Sequence, residues 1–214
     1  MEIVCLVFDG ITPLDAVGPY EVLAKMPGAK WRFVAPQAGL VSSDDRALTW
    51  SVAGGIEQVA SADVLLVPGG FGTRRLMKDA RLLDWLRAVD ATTQITASVC
   101  TGALLLAAAG LLQGRRANTH WAVRERLAEF GAVPVAERCV RDGKYATAAG
   151  VSAGIDLALA LAIELAGLDV AERIQLSIEY DPAPPISAGN AERAPIAVRE
   201  AYCKRLSERE AQIS

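Results

Sequence analysis

The feature that most constrains the fold is a repeated unit: an apolar run of strand length, a turn rich in small residues, then a stretch with helical periodicity. Glu2-Ile-Val-Cys-Leu-Val-Phe8 ends at Asp9-Gly10, Asp63-Val-Leu-Leu-Val67 ends at Pro68-Gly-Gly-Phe-Gly72, and Gln94-Ile-Thr-Ala-Ser-Val99 ends at Cys100-Thr-Gly102. Runs this apolar, without alternation, belong to strands buried on both faces. Strands alternating with helices imply a parallel sheet covered on both sides, an α/β fold. In such folds, sites form outside the carboxyl ends of the strands. Asp9-Gly10, the Pro68–Gly72 turn and Cys100 all lie at such ends, which focuses the search for chemistry on one edge of the sheet.

The rest of the chain fits this frame. Thr12-Pro13 starts a helix, with proline near its first turn, that runs through Val22, Leu23 and Met26 to Pro27-Gly28. Trp31 to Ala35 is a second strand, and Val41 to Val52 alternates like a small hairpin. Arg74 to Val89 reads as one helix through Leu76, Leu82, Leu83 and Leu86. Thr101 to Leu112 is apolar all round and so a buried helix. Arg124 to Phe130 is a short helix, Val133 to Val140 and Lys144 to Ala148 are strands, and Val151 to Ala166 is a long helix. Asp169 is placed to cap a helix after it. Residues 1–214 read as one domain, whose tail from Asp181 is extended through Pro182, Pro184 and Pro185 and then helical from Pro195 to Arg209.

Bulk properties exclude several functions. A formal charge of −3 lacks the basic excess that phosphate-backbone binding requires, so nucleic acid is not expected as a partner. The most apolar stretch, Ala103 to Leu112, is far short of the ~20 residues that span a bilayer. Glu2 and Asp9 interrupt any secretion-signal pattern, so a soluble cytoplasmic protein is expected. Cys5, Cys100, Cys139 and Cys203 form no metal-ligand spacing, and there is one histidine; free thiols and no metal or organic cofactor are the expectation.

Ser98-Val-Cys-Thr-Gly102 flanks Cys100 with slim residues, as a sharp strand-to-helix turn demands. A thiol at a helix amino terminus meets unpaired N–H groups, which lower its pKa. Its position at a strand end separates Cys100 from a mid-strand structural cysteine such as Cys5. Pro68-Gly-Gly-Phe-Gly72 matches no phosphate-binding fingerprint. Its Gly70 N–H, with that of Thr101, is a candidate pair of donors for a developing negative charge. Asp15, in the first turn after the first strand, can reach a neighbouring strand end as a proton donor or acceptor. Glu21 reads as a solvated helix position. His120, in Asn118-Thr-His-Trp121, is either a Cys–His partner or a packed residue beside Trp121. Phe71 and Trp121 are candidate pocket residues. Asp156 and Glu164 read as structural.

Together, Phe8-Asp-Gly, Leu14-Asp-Ala-Val-Gly-Pro-Tyr-Glu21, Val67-Pro-Gly-Gly-Phe-Gly72, Ser98-Val-Cys-Thr-Gly-Ala103, Asn118-Thr-His-Trp121 and Thr147-Ala-Ala-Gly-Val-Ser-Ala-Gly-Ile-Asp156 resemble the ThiJ/PfpI superfamily, described also as class I glutamine amidotransferase-like. The resemblance covers the chain to about Tyr180. It is nearest to isonitrile hydratases and to the amino-terminal domains of AraC-type regulators. It implies a flavodoxin-like three-layer sandwich that usually dimerises, with Cys100 as nucleophile, Asp15 as the acid that contacts it and Thr101 following it. Glu21 falls on another acidic family position, and His120 on the family histidine, without an implied triad. The implied reaction is hydration of an isonitrile to an N-substituted formamide through a cysteine thioimidate. Alternatives are glyoxalase-type chemistry on methylglyoxal, with His120 moving protons, and a non-enzymatic redox- or ligand-sensing domain. About 35 residues after Tyr180 are too few for the paired helix-turn-helix module of an AraC-type regulator.

Overall fold

The computed structural model describes residues 1–211. Eleven strands follow in chain order: β1 (Glu2–Leu6), β2 (Lys30–Ala35), β3 (Gly39–Ser42), β4 (Thr49–Val52), β5 (Gly54–Gly55), β6 (Val64–Val67), β7 (Ile95–Val99), β8 (Arg116–Ala117), β9 (Val133–Pro134), β10 (Cys139–Asp142) and β11 (Tyr145–Ala148). Seven of them form the central sheet in the order β10-β11-β7-β6-β1-β2-β5. Every pairing in it is parallel except β10 with β11. The run Val41–Val52 does make a hairpin, β3 antiparallel to β4, outside the main sheet.

The helices are α1 (Pro13–Leu23), α2 (Thr73–Leu76), α3 (Ala80–Asp90), α4 (Gly102–Ala108), α5 (Ala153–Ala166), α6 (Leu168–Ser177) and α7 (Ile196–Ala211). α1 packs on α5, which also touches β7 and β11; α2 and α3 pack on α4, which covers β6 and β7. Helices thus flank a mostly parallel sheet, the arrangement of a flavodoxin-like α/β fold. The central strands are apolar because both faces are covered: all of β6 and β7 and nearly all of β1 are buried. α4 buries Leu104, Leu105 and Leu106 together, the outcome its unbroken apolar sequence requires.

The strand expected over Val133–Val140 is two, β9 paired with β8 and β10 in the central sheet, and three further boundaries differ from expectation for local reasons. The single helix expected over Arg74–Val89 is two, because Asp79 caps a fresh start and its carboxylate accepts the Leu82 N–H at 3.2 Å. Arg124–Phe130 belongs to a longer 3₁₀ segment, Trp121–Phe130, broken at Val123 and closed by Gly131 in the left-handed region at φ 77°. α6 opens at Gly167 (φ 89°) without a side-chain cap, so Asp169 sits in its first turn and is not the cap.

The chain divides into two compact units, Met1–Glu179 and Tyr180–Ser214. The first holds the sheet and α1 to α6. The second runs without regular structure to α7, where Ile196, Val198 and Tyr202 are exposed.

Candidate active site

The site is built where β7 ends. Cys100 has φ 56°, the left-handed region that a non-glycine residue adopts only under constraint. The constraint is visible on each side. Its N–H donates to Ala149 O at 2.9 Å, and the Thr119 hydroxyl donates to its carbonyl at 2.7 Å. Two residues on, a Cβ at Gly102 would collide with the carbonyl of Val67. Glycine is what lets α4 leave the sheet this steeply.

Across from the elbow, the Gly69–Gly72 loop is stitched to the end of β1. Thr12 N–H donates to Gly69 O at 3.0 Å, and Gly72 N–H to Gly10 O at 3.0 Å. A side chain on Gly70 (φ 134°) would strike Gly10 and Thr12, and one on Gly69 would strike Thr101 and reach Asp15. This close approach brings the first turn of α1, hence Asp15, under the elbow.

Asp15 is fully buried, and Cys100 is 5% exposed. Asp15 Oδ2 accepts the Gly69 N–H at 3.0 Å. Oδ1 is buried and has no hydrogen-bond partner among the described residues, and the Cys100 thiol near the carboxyl favours its charged form. Burial, opposed by the Gly69 N–H and by the Cys100 thiol, pushes the Asp15 pKa from 3.8 up to about 7. Asp44, on the hairpin, adds a smaller upward push.

Burial first, and the Asp15 charge second, raise the Cys100 thiol well above its ordinary value. The lowering expected from a helix amino terminus is present, since the backbone N–H groups of Thr101 and Val151 both favour the thiolate, but it is outweighed. Val151 is itself left-handed, at φ 32°, costly for a β-branched residue. Two non-glycine residues with left-handed backbone, Cys100 and Val151, therefore meet at one thiol. What results is a protonated thiol beside a carboxyl that titrates near neutrality. The pair can pass a proton between them on demand.

The other expected residues are placed as follows. Thr101 is 6% exposed; its hydroxyl accepts the Gly70 N–H at 2.9 Å and lies 3.1 Å from Gly70 O, as a donor to it. The Gly70 N–H is therefore engaged in the resting site, and the donors at the sulfur are Thr101 and Val151 instead. Thr73 backs this knot, its hydroxyl 2.8 Å from Gly70 O and 3.2 Å from Thr101 Oγ1. Glu21 is exposed, in a 2.8 Å ion pair with Lys25, and its charge does not register at Asp15 or Cys100.

His120 is half-buried, with its ring edge against Gly150, and its Nδ1 accepts the Ala122 N–H at 3.4 Å. Burial, then the charges of Arg74 and Arg124, lower its pKa to about 4, so it is neutral at physiological pH. It does not figure among the groups that shift Cys100. Trp121 lies beside it, with ring centroids 5.7 Å apart, and the Phe71 ring carries the Arg74 guanidinium 4.0 Å above its centroid.

Burial raises the Cys5 and Cys139 thiols too, Cys139 to about 11, but neither stands at a strand-to-helix turn as Cys100 does. Among the described residues, no group of three or more His, Cys, Asp or Glu side chains is placed to hold a metal ion, and no helix is long and apolar enough to cross a membrane. Sequence reasoning missed Gly69, Thr119 and Val151, which act through backbone atoms or a buried hydroxyl. The crowding of small residues at Pro68-Gly-Gly and Ala148-Ala-Gly was the one available signal.

Comparison with known proteins places the fold and the family. The chain is 44% identical over 211 residues to an isonitrile hydratase of Pseudomonas putida, covering 97% of this chain and 90% of that protein. It is 31% identical over 171 residues to the HTH-type transcriptional regulator CdhR of Pseudomonas aeruginosa, covering 78% of this chain and half of the regulator. Among solved structures, a ThiJ/PfpI family protein from Pseudomonas syringae superposes with a TM-score of 0.93 at 40% identity, covering 97% of this chain and 86% of that one. Drosophila melanogaster DJ-1beta shares the fold, with a TM-score of 0.74 at 21% identity over 85% of this chain and 98% of that one. Residues 1–164 match the DJ-1/PfpI family, and the chain belongs to it.

Proposed function

We propose that this protein hydrates an isonitrile to an N-substituted formamide, with Cys100 as nucleophile and Asp15 as proton carrier. The observation that carries this reading is the buried Asp15–Cys100 pair, whose carboxyl titrates near pH 7. The similarity to an isonitrile hydratase over nearly the whole chain supports the choice of substrate.

An isonitrile carbon accepts a nucleophile and a proton at the same atom, which suits a thiol and a carboxyl side by side. The S–H proton passes to ionised Asp15, the sulfur bonds to the terminal carbon, and protonated Asp15 delivers the proton to that carbon. The product is a thioimidate, R–N=CH–S–Cys100. Water then adds across the C=N bond, and collapse of the adduct breaks C–S, returning the proton to sulfur and releasing R–NH–CHO. Thr101 and Val151 N–H groups stabilise charge on sulfur as it forms and leaves. A donor role for Gly70 N–H at the water-adding step would need the Thr101 hydroxyl to rotate away from it.

The neutral His120, its Nδ1 engaged by Ala122, gives less support to glyoxalase-type chemistry. The test is formamide production from cyclohexyl isocyanide. Formamide from the wild-type protein and none above background from Cys100→Ala supports the reading; absence of formamide across an isonitrile panel overturns it.

A further inference from the structure

The arginines of residues 115–141 divide into two kinds. Arg115, Arg116, Arg138 and Arg141 each face a carboxylate: Asp142, Glu137, Asp156 and Glu164. Arg126 faces Glu129 at 3.8 Å. Arg124 is different. It is half-buried, and its Nε donates to the side-chain oxygen of Asn118 at 2.9 Å. Among the described residues, no carboxylate pairs with it, and its two terminal amino groups have no hydrogen bond.

Asn118 is a rigid anchor for this arginine. It is buried, its side-chain oxygen also accepts the Thr119 N–H at 2.8 Å, its own N–H donates to the Thr147 hydroxyl at 2.9 Å, and its amide nitrogen donates to Glu137 O. The next residue, Thr119, holds the Cys100 carbonyl. The residue after that, His120, lies against Gly150, beside the Ala149 and Val151 backbone that contacts Cys100. One short segment therefore ties the elbow to a partly desolvated guanidinium held by one nitrogen. Its terminal nitrogens are not among the buried unsatisfied atoms, so they are open to water and free to receive an anion from it. A guanidinium fixed at Nε presents its remaining nitrogens as a planar fork matched to a carboxylate. Arg74, stacked on Phe71, adds positive charge that is felt at His120 together with that of Arg124.

The geometry points to Arg124 as a specificity-determining residue that receives an anionic group, a carboxylate on the substituent of the isonitrile. This rests on the isonitrile reading for the reacting end of the substrate, and the neutral His120 leaves the cationic role to the arginines.

Two matched pairs of reagents test it. Iodoacetate and iodoacetamide alkylate the same thiol and differ in charge alone, without any isonitrile turnover. The iodoacetate-to-iodoacetamide rate ratio at Cys100 is expected to fall about tenfold in Arg124→Gln, the worth of one charge-assisted contact, and to recover in part in Arg124→Lys. A merely structural role for Arg124 would move both rates together and leave the ratio unchanged, which would overturn the anion site. For substrate, kcat/KM for 3-isocyanopropanoate relative to propyl isocyanide should exceed unity in the wild-type protein and fall in Arg124→Gln. A ratio at or below unity in the wild type overturns the carboxylate assignment. Turnover of neither compound alongside an Arg124-dependent alkylation ratio would retain the anion site and overturn the isonitrile as its bearer.

Discussion

The Asp15 carboxyl and the Cys100 thiol lie buried together, and each holds its proton more tightly than it would in water. They titrate as a pair, so the reactive state is the one carrying a single proton between them. That state is reached when pH passes about 7, the Asp15 value, and persists until the thiol itself ionises. Isonitrile turnover should rise with pH through about 7. In Asp15→Asn the rising limb should vanish and the rate should drop by roughly 10²–10⁴-fold, the range for loss of a positioned acid–base group. A pH–rate profile of both proteins checks this.

The same burial bears on stability. Because the Asp15 pKa is higher folded than unfolded, the folded state holds an extra proton between about pH 3.8 and 7. The contribution of Asp15 is thus most favourable below the unfolded value and is lost as pH rises through about 7. At ~1.4 kcal/mol per pH unit the full difference is on the order of 4 kcal/mol. Asp15→Asn, which keeps an acceptor for Gly69, should therefore gain stability over the wild type on going from pH 4 to pH 8. Denaturant unfolding at the two pH values measures it.

Thr101→Val removes the acceptor of a buried N–H at Gly70 while keeping the shape of the side chain. Leaving that donor unsatisfied should cost about 1–3 kcal/mol, and Thr101→Ser should restore most of it. Gly102→Ala should be at least as damaging, since its methyl meets the Val67 carbonyl and the strand-to-helix turn must open to admit it. Overpacking of this kind costs roughly 1–3 kcal/mol, and here it should also slow alkylation of Cys100 by iodoacetamide.

His120→Ala separates two chemistries. With a pKa near 4, His120→Ala should leave formamide production within about threefold of wild type, well inside the ~10²-fold expected for loss of a general acid or base. Any activity on methylglyoxal that uses this imidazole should fall by that larger factor. Parallel assays on the two substrates give the answer.

Much of the frame was legible because it is governed by simple patterning. The runs at β1, β6 and β7 are apolar since both faces are covered, and Ser98, Thr101 and Gly102 are slim since the turn is steep. The break between α2 and α3 was hidden because the leucines keep helical period across it, although Asp79 followed three residues later by the Leu82 N–H is a capping geometry. The direction of the thiol shift was hidden for another reason. A sequence shows that a helix begins after Cys100, but not that Asp15 and full burial stand against it. Nor does it show that Val151, some fifty positions on, would adopt a positive φ, or that its N–H would favour the thiolate.

The central claim is that the isonitrile becomes covalently bound to Cys100 with its proton managed by Asp15. Mass spectrometry of the wild-type and Asp15→Asn proteins after mixing with cyclohexyl isocyanide tests this directly. The account predicts a Cys100 peptide heavier by the whole mass of the isonitrile, as addition without loss requires, and absent from Cys100→Ala. Formamide release by Cys100→Ala at the wild-type rate, or an adduct on another residue during turnover, would contradict it.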